Sequence, residues 1–305
     1  MIQTENLSKT FGDHVAVDRL TLDIAEGEVF GFLGPNGAGK TTTIRMLTCL
    51  IAPSAGRARV LTYEVGRDDE QIRRNVGILT ETPGMYDRLS AHRNLSIFAR
   101  LYEVEKVDYQ VEKYLKLLGL WERRDDPVGE FSKGMRQKLA IGRALLHEPR
   151  VLFLDEPTAA LDPEASRLVH DFIADLKGRG RTIFLCTHNL DEADRLCDRV
   201  AVFKTHLRVL DTPGRLRQQV YGRQIVFHLT EPAGPFLPGV ASLSFIKAAE
   251  ANEGKLVLTL DDPETHNPEI VRALVAAGAG IQFVGELRYS LEDVYLQLMK
   301  EDAAA

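Results

Sequence analysis

Glu28-Val29-Phe30-Gly31-Phe32-Leu33 runs directly into Gly34-Pro35-Asn36-Gly37-Ala38-Gly39-Lys40-Thr41. The first six residues read as a buried strand, and 41–50 reads as a helix. The eight residues from Gly34 to Thr41 fit G-x-x-x-x-G-K-[ST] in the strand–loop–helix setting that this pattern requires. The glycines let successive N–H groups turn inward around phosphate oxygens, and the helix N-terminus adds a favourable dipole. Lys40 adds positive charge near the β- and γ-phosphates of a nucleotide. The Thr41 hydroxyl is placed to bind Mg²⁺, and Thr42 belongs to the same set of nucleotide contacts. The plainer reading is a glycine-rich turn that merely opens a helix, and the flanking elements count against it.

A second stretch completes the chemistry. Val151-Leu152-Phe153-Leu154 reads as a buried strand, and Asp155-Glu156 emerges at its C-terminal end. Ligands of open α/β sheets gather at that end. Asp155 is expected to hold Mg²⁺, directly or through water, and Glu156 to take a proton from an attacking water. Taken alone, an apolar run ending in Asp-Glu is more often a surface turn. Beside a phosphate loop the balance reverses.

Residues 1–220 alternate strand and helix patterns, which predicts an α/β domain with a mainly parallel sheet. Expected strands are 28–33, 73–79, 151–154, 182–186 and 200–204. Helical spacing runs through 89–118 with an N-cap at Ser90, and through 136–146 and 189–196. From 221 a small α/β appendage is expected: strands at 224–229, 255–260 and 281–287, and a loop at 232–239. One helix is expected to open at Pro268 with Asn267 as its cap, and a last one from Leu291, capped by Ser290 with Asp293. Composition divides the chain at the same place. The net charge is −6, and residues 221–305 carry all of it, with 6 Lys+Arg against 12 Asp+Glu. With 44% hydrophobic residues the chain can bury a core, and its acidic balance argues against a nucleic-acid partner. Three scattered cysteines make neither a disulfide framework nor a zinc knuckle, and reduced, buried thiols are expected. No apolar run approaches the ~20 residues of a membrane span, and the N-terminus lacks a signal peptide's apolar region.

Between the two sites lies Phe131-Ser132-Lys133-Gly134-Met135-Arg136-Gln137. It resembles the L-S-G-G-Q signature loop of ATP-binding-cassette (ABC) ATPases, and the remaining motifs of that family follow in order across about 2–220. Asp162, after Thr158-Ala159-Ala160-Leu161, resembles the D-loop aspartate, and His188 the switch histidine that contacts γ-phosphate. Phe11 resembles the aromatic residue that stacks on adenine. Thr80-Glu81-Thr82-Pro83 stands at the Q-loop position, where Glu81 replaces the usual glutamine and can still ligand Mg²⁺. Lys133 and Met135 also depart from the signature, while Ser132 and Gly134 remain to contact γ-phosphate. Within the family the chain is similar to exporter ATPases of the daunorubicin-resistance type.

The resemblance implies an α/β fold: a P-loop ABC cassette with a mixed sheet core, a helical subdomain at about 85–148, and a small α/β C-terminal domain from 221. It implies ATP hydrolysis with Lys40, Glu156 and His188 as catalytic residues, and ATP and Mg²⁺ as cofactors. It also implies a head-to-tail dimer in which Ser132 and Gly134 of one copy complete the site of the other. The further partner is a membrane permease of about six spanning helices, which would hold the chain at the cytoplasmic face of the membrane. Tyr86, in Gly84-Met85-Tyr86-Asp87-Arg88-Leu89, is expected to contribute to the permease docking groove, with local packing as the alternative. A soluble ABC ATPase of DNA repair or translation is the competing function. The span from Lys40 to Asp155 is too short for the coiled coil of the repair members, and the single cassette does not match the translation members.

Overall fold

The computed structural model describes residues 1–80, 84–159 and 161–304. The chain forms two compact units, Met1–Thr212 and Pro213–Ala305. In chain order the first holds β1 (Ile2–Phe11), β2 (His14–Ile24), β3 (Val29–Leu33), α1 (Lys40–Leu47), β4 (Ala55–Val60), β5 (Tyr63–Glu64), α2 (Asp69–Asn75) and β6 (Val76–Leu79). It continues with α3 (Ala91–Leu101), α4 (Val107–Leu117), α5 (Lys133–Leu145), β7 (Val151–Asp155), α6 (Pro163–Gly178), β8 (Thr182–Thr187), α7 (Leu190–Leu196), β9 (Arg199–Lys204) and β10 (His206–Asp211).

A six-stranded sheet runs in the order β10-β9-β3-β8-β7-β6. Its pairs are parallel except β9–β10. β3, β7 and β8 are buried along their whole length, as parallel strands covered on both faces must be. Their phenylalanines meet across the strands together with Phe203 of β9: the rings of Phe30, Phe32, Phe153, Phe184 and Phe203 form a chain with centroids 4.6–5.6 Å apart. Burying one such side chain is worth about 1.5–3 kcal/mol. The second sheet, β2-β1-β4-β5, is antiparallel. Ile44, Met46 and Leu47 of α1 share one core with both sheets. The helix that follows the Gly34–Gly39 loop is therefore clamped by the fold.

Two local readings differ from the expectation. Arg73 belongs to α2, and the strand begins only at Val76. The run 89–118 is broken into α3 and α4, with Glu103 between them in the left-handed region at φ 56°. Ser90 caps α3, its hydroxyl accepting from the Arg93 N–H. Cys186 and Cys197 are buried, Cys49 is half-buried, and all three thiols are free.

The second unit holds α8 (Pro213–Tyr221), β11 (Arg223–Leu229), α9 (Leu237–Ala241), β12 (Ala248–Asn252), β13 (Lys255–Leu260), α10 (Pro263–Ala276), β14 (Ile281–Leu287) and α11 (Leu291–Ala304). The sheet order is β12-β13-β11-β14, all antiparallel. Ile225, Phe227, Leu256, Leu258, Ile270 and Leu274 build a separate core. The unit starts at Pro213 and not at 221, because α8 packs on α11 and its last residue, Tyr221, stacks on Tyr289 just before α11 with ring centroids 3.7 Å apart. The helix expected to open at Pro268 opens at Pro263, because Asp262 supplies the cap to the Thr265 N–H and Asn267 does not. Pro268 is carried inside that helix. Part of the expected loop 232–239 is helical, as α9. The Ser290–Asp293 box forms as read, with Ser290 Oγ accepting from the Asp293 N–H and Asp293 Oδ2 accepting from the Ser290 N–H.

Candidate active site

β8 lies between β3 and β7, so the loops leaving the C-terminal ends of these three strands are neighbours. The loop after β3 wraps tightly. A side chain on Gly34 would strike the Phe203 carbonyl, its Cβ falling 2.1 Å from that oxygen. Gly39 sits at φ 104° as the N-cap of α1, with no side chain capping the helix. The first N–H groups of α1 are thus left without a side-chain acceptor, as anion binding at a helix start requires. Lys40 is buried, and its Nζ donates to the Gly34 carbonyl at 2.6 Å and lies 3.4 Å from Glu156 Oε1.

The loop after β7 brings two carboxylates. Asp155 is buried, and its Oδ2 accepts from the Thr41 hydroxyl at 2.7 Å. Glu156 has a left-handed backbone, φ 51°, uncommon for a residue with a side chain. Its N–H donates to the Cys186 carbonyl of β8 at 2.9 Å. The loop after β8 supplies His188, whose Nδ1 lies 2.8 Å from Glu156 Oε2.

Lys40, Thr41, Asp155, Glu156 and His188 line one cleft of about 470 Å³, with Phe11 at its rim, half exposed, whereas Gly34 is not among the lining residues. Pro35, Asn36, Gly37, Ala38, Gly39 and Thr42 line it as well. Lys9 Nζ sits 5.0 Å from the Phe11 ring centroid. Ser132 and Gly134 do not line this cleft. Ser132 caps α5, its Oγ accepting from the Met135 N–H at 3.2 Å, which leaves its own hydroxyl hydrogen to donate elsewhere. Asp162 caps α6 through the Ala165 N–H at 2.8 Å and also lies outside the cleft lining. Glu81 falls outside the described residues, so nothing is placed for it.

Several supporting residues were invisible to motif reading. Asn94 is fully buried; its Nδ2 donates to the carbonyls of Tyr86, Leu89 and Ser90, and its Oδ1 accepts from the Tyr86 N–H. The available signal was a polar residue on the buried stripe of α3, with Ala91 and Leu95. From α5, Arg136 pairs with Asp87 at 2.9 Å and Arg143 donates to the Gly84 carbonyl at 2.6 Å. The segment that presents Tyr86 is therefore tied to the helix that Ser132 caps. Tyr86 is half exposed and stacks on Phe98 with centroids 6.2 Å apart. Gln137 of α5 donates to the Pro157 carbonyl at 2.6 Å, directly behind Glu156.

A family profile described as ABC transporter matches residues 17–159. The daunorubicin resistance ATP-binding protein DrrA3 of Streptomyces coeruleorubidus is 35% identical over 99% of this chain and 96% of its own length. The chain belongs to the ABC transporter family of ATP-binding proteins. This ABC chain is also 34% identical to the Nod factor export ATP-binding protein I of Rhizobium sp. (strain N33), over 97% of this chain and 96% of that protein. A bacterial ABC transporter cassette solved as a dimer superposes with TM-score 0.64 at 25% identity, over 70% of this chain and 98% of the other. As an ABC ATPase the cassette binds and hydrolyses ATP. No described helix of this ABC chain is long and apolar enough to cross a membrane.

Proposed function

We propose that this cassette is the energy-coupling subunit of an exporter, and that each ATP is hydrolysed between two copies of the chain. One observation carries the division of labour. The phosphate loop, Asp155, Glu156 and His188 share a cleft, whereas Ser132 and Gly134 lie outside it. A second copy, head to tail, would bring its Ser132 hydroxyl and Gly134 N–H to the open side of the cleft. The dimeric bacterial cassette of the same fold supports that arrangement.

Thr41 and Asp155 fit Mg²⁺, with a hydroxyl and a carboxylate oxygen held 2.7 Å apart. Both are hard oxygen donors of the kind Mg²⁺ selects. Among the described residues no cluster of three or more His, Cys, Asp or Glu offers an all-protein metal cage. That suits an ion which completes its shell with water and phosphate. Mg²⁺ held there would neutralise phosphate charge. Lys40 faces the same oxygens from within the loop. Glu156 takes the proton of the attacking water. His188 holds the Glu156 carboxylate through Nδ1 and would meet the γ-phosphate when nucleotide is bound. Phe11 stacks on the adenine.

The exporter assignment rests on relatives matched over nearly the full chain, one named for drug resistance and one for Nod factor export. Neither points to DNA repair or translation. A membrane permease is the remaining partner, docked at the Tyr86 segment, and it would place the cassette at the cytoplasmic face. The test is light scattering on the full chain carrying Glu156→Gln. With ATP it runs as a dimer, and adding Ser132→Arg returns it to a monomer. An ATP-bound monomer in the first variant would end the shared-site reading.

A further inference from the structure

Beneath the cleft lies a buried carboxylate that the chemistry above does not use. Glu192, in the first turn of α7, has a side chain with 0% exposure. Its Oε1 accepts from the Thr158 hydroxyl at 3.1 Å and meets His170 Nε2 of α6 at 3.1 Å. Its Oε2 is buried with no hydrogen-bond donor among the described residues. A carboxylate out of water with half its acceptor capacity unused is costly to fold around, and a glutamine or an apolar residue would be cheaper. The placement shows what the cost maintains. Thr158 stands two positions after Glu156, and Glu192 four after His188. The Glu192 N–H also donates to Asn189 Oδ1, which fixes the start of α7 directly after His188.

We infer that Glu192 is a positioning residue that locks the Glu156 loop to the His188 loop, with Thr158 as its partner. The two loops are then joined twice. In front, His188 meets Glu156 within the cleft at 2.8 Å. Behind, in the protein interior, Glu192 holds Thr158. The Glu156 loop has a third tether, the Gln137 bond to the Pro157 carbonyl from α5. Glu156 sits in an unfavourable backbone conformation, φ 51°, which persists only where surrounding contacts over-determine it. The buried link is one such contact, and it sets where the Glu156 carboxylate points relative to His188. Glu192 is not among the residues that line the cleft, so it acts on turnover and not on ATP binding. The inference rests on Glu156 being the base.

The test uses the full chain, with steady-state ATPase kinetics at saturating Mg²⁺ and fluorescent-nucleotide binding. Glu192→Gln keeps the side-chain volume but makes a poorer acceptor, and Thr158→Val keeps the shape but loses the hydroxyl. Each is expected to lower kcat by about tenfold while KM and nucleotide affinity stay within about twofold. The double variant should be no worse than the weaker single, since both remove one link. Thr158→Ser restores the hydroxyl and should recover most of the kcat lost in the valine variant. Unchanged kcat in Thr158→Val, a loss confined to KM, or additive losses in the double variant would each overturn the inference. If Glu192→Gln does not fold, Thr158→Val and Thr158→Ser decide alone. A wild-type chain that does not hydrolyse ATP would instead count against the proposed function.

Discussion

β7 is bracketed by two glutamates with nearly the same backbone, Glu148 before it at φ 52° and Glu156 after it at φ 51°. Their surroundings are opposite. Glu148 Oε1 accepts from Tyr114 at 2.9 Å and from the Lys113 ammonium, and Oε2 accepts from Arg181. Burial works to raise its pKa, but the hydrogen bonds from Lys113 and Tyr114 outweigh it and hold the carboxyl below its usual value. Such a group is saturated with donors and cannot take up a proton near neutral pH. It bolts α4 to the start of β7. Glu156 is more buried, yet it faces the cleft with Lys40 at 3.4 Å and His188 at 2.8 Å. The contrast teaches that a left-handed glutamate at a strand end is not in itself a mark of catalysis. The open side of the carboxylate decides.

The largest expected effect tests the cleft as a whole. Lys40→Ala should abolish ATP hydrolysis and weaken nucleotide binding, read by phosphate release and fluorescent-nucleotide titration. Near-native activity would remove the phosphate-loop assignment. Next, Glu156→Gln should keep ATP binding while hydrolysis falls by roughly 10²–10⁴, the range of a lost general base. Normal turnover in that variant would falsify the role given to Glu156.

Glu148→Gln should do the reverse, leaving kcat intact and lowering Tm. Its side chain is 35% exposed, so solvent screening limits the loss to about 1–2 kcal/mol, a few degrees in Tm. The sign with pH follows from the lowered folded pKa. The Glu148 contribution is present above the ordinary glutamate value and is lost as pH falls through the folded one. The Tm gap between wild type and Glu148→Gln should therefore close on acidification; a gap that widened would contradict the bolt. Smallest is Tyr114→Phe, which removes one donor to Glu148 and should cost ~1 kcal/mol with unchanged ATPase kinetics. A fall in kcat there would mean the two glutamates are not separable.

The candidate site was legible where local chemistry dictates local form. Gly34 through Thr41 needs no partner to announce a phosphate loop, since strand, glycines and helix start are contiguous. Val151–Asp155 was legible for the same reason, with apolar residues on both faces ending in acid. The antiparallel sheet β2-β1-β4-β5 was not, because its strands are half-exposed, bulged and mixed in polarity. The start of α10 was misread because two prolines, Pro263 and Pro268, both suit a first helical turn. The competition was settled by which preceding residue reached a free N–H.

Local sequence was enough to propose the chemistry: a phosphate loop at Gly34–Thr41, carboxylates at Asp155 and Glu156 for a metal and a water, and an acidic excess after residue 220. Those are properties of contiguous residues, fixed by steric and hydrogen-bonding rules that act over a few positions. Which of them meet depends on how the strands are ordered and the helices docked. Placing β8 between β3 and β7 brings Lys40, Glu156 and His188 together and keeps Ser132 outside. Packing α7 under the Glu156 loop makes Glu192 a partner of Thr158 across 34 positions. Strand order and helix docking depend on how buried faces pair over the whole unit, and no local window of sequence contains that information.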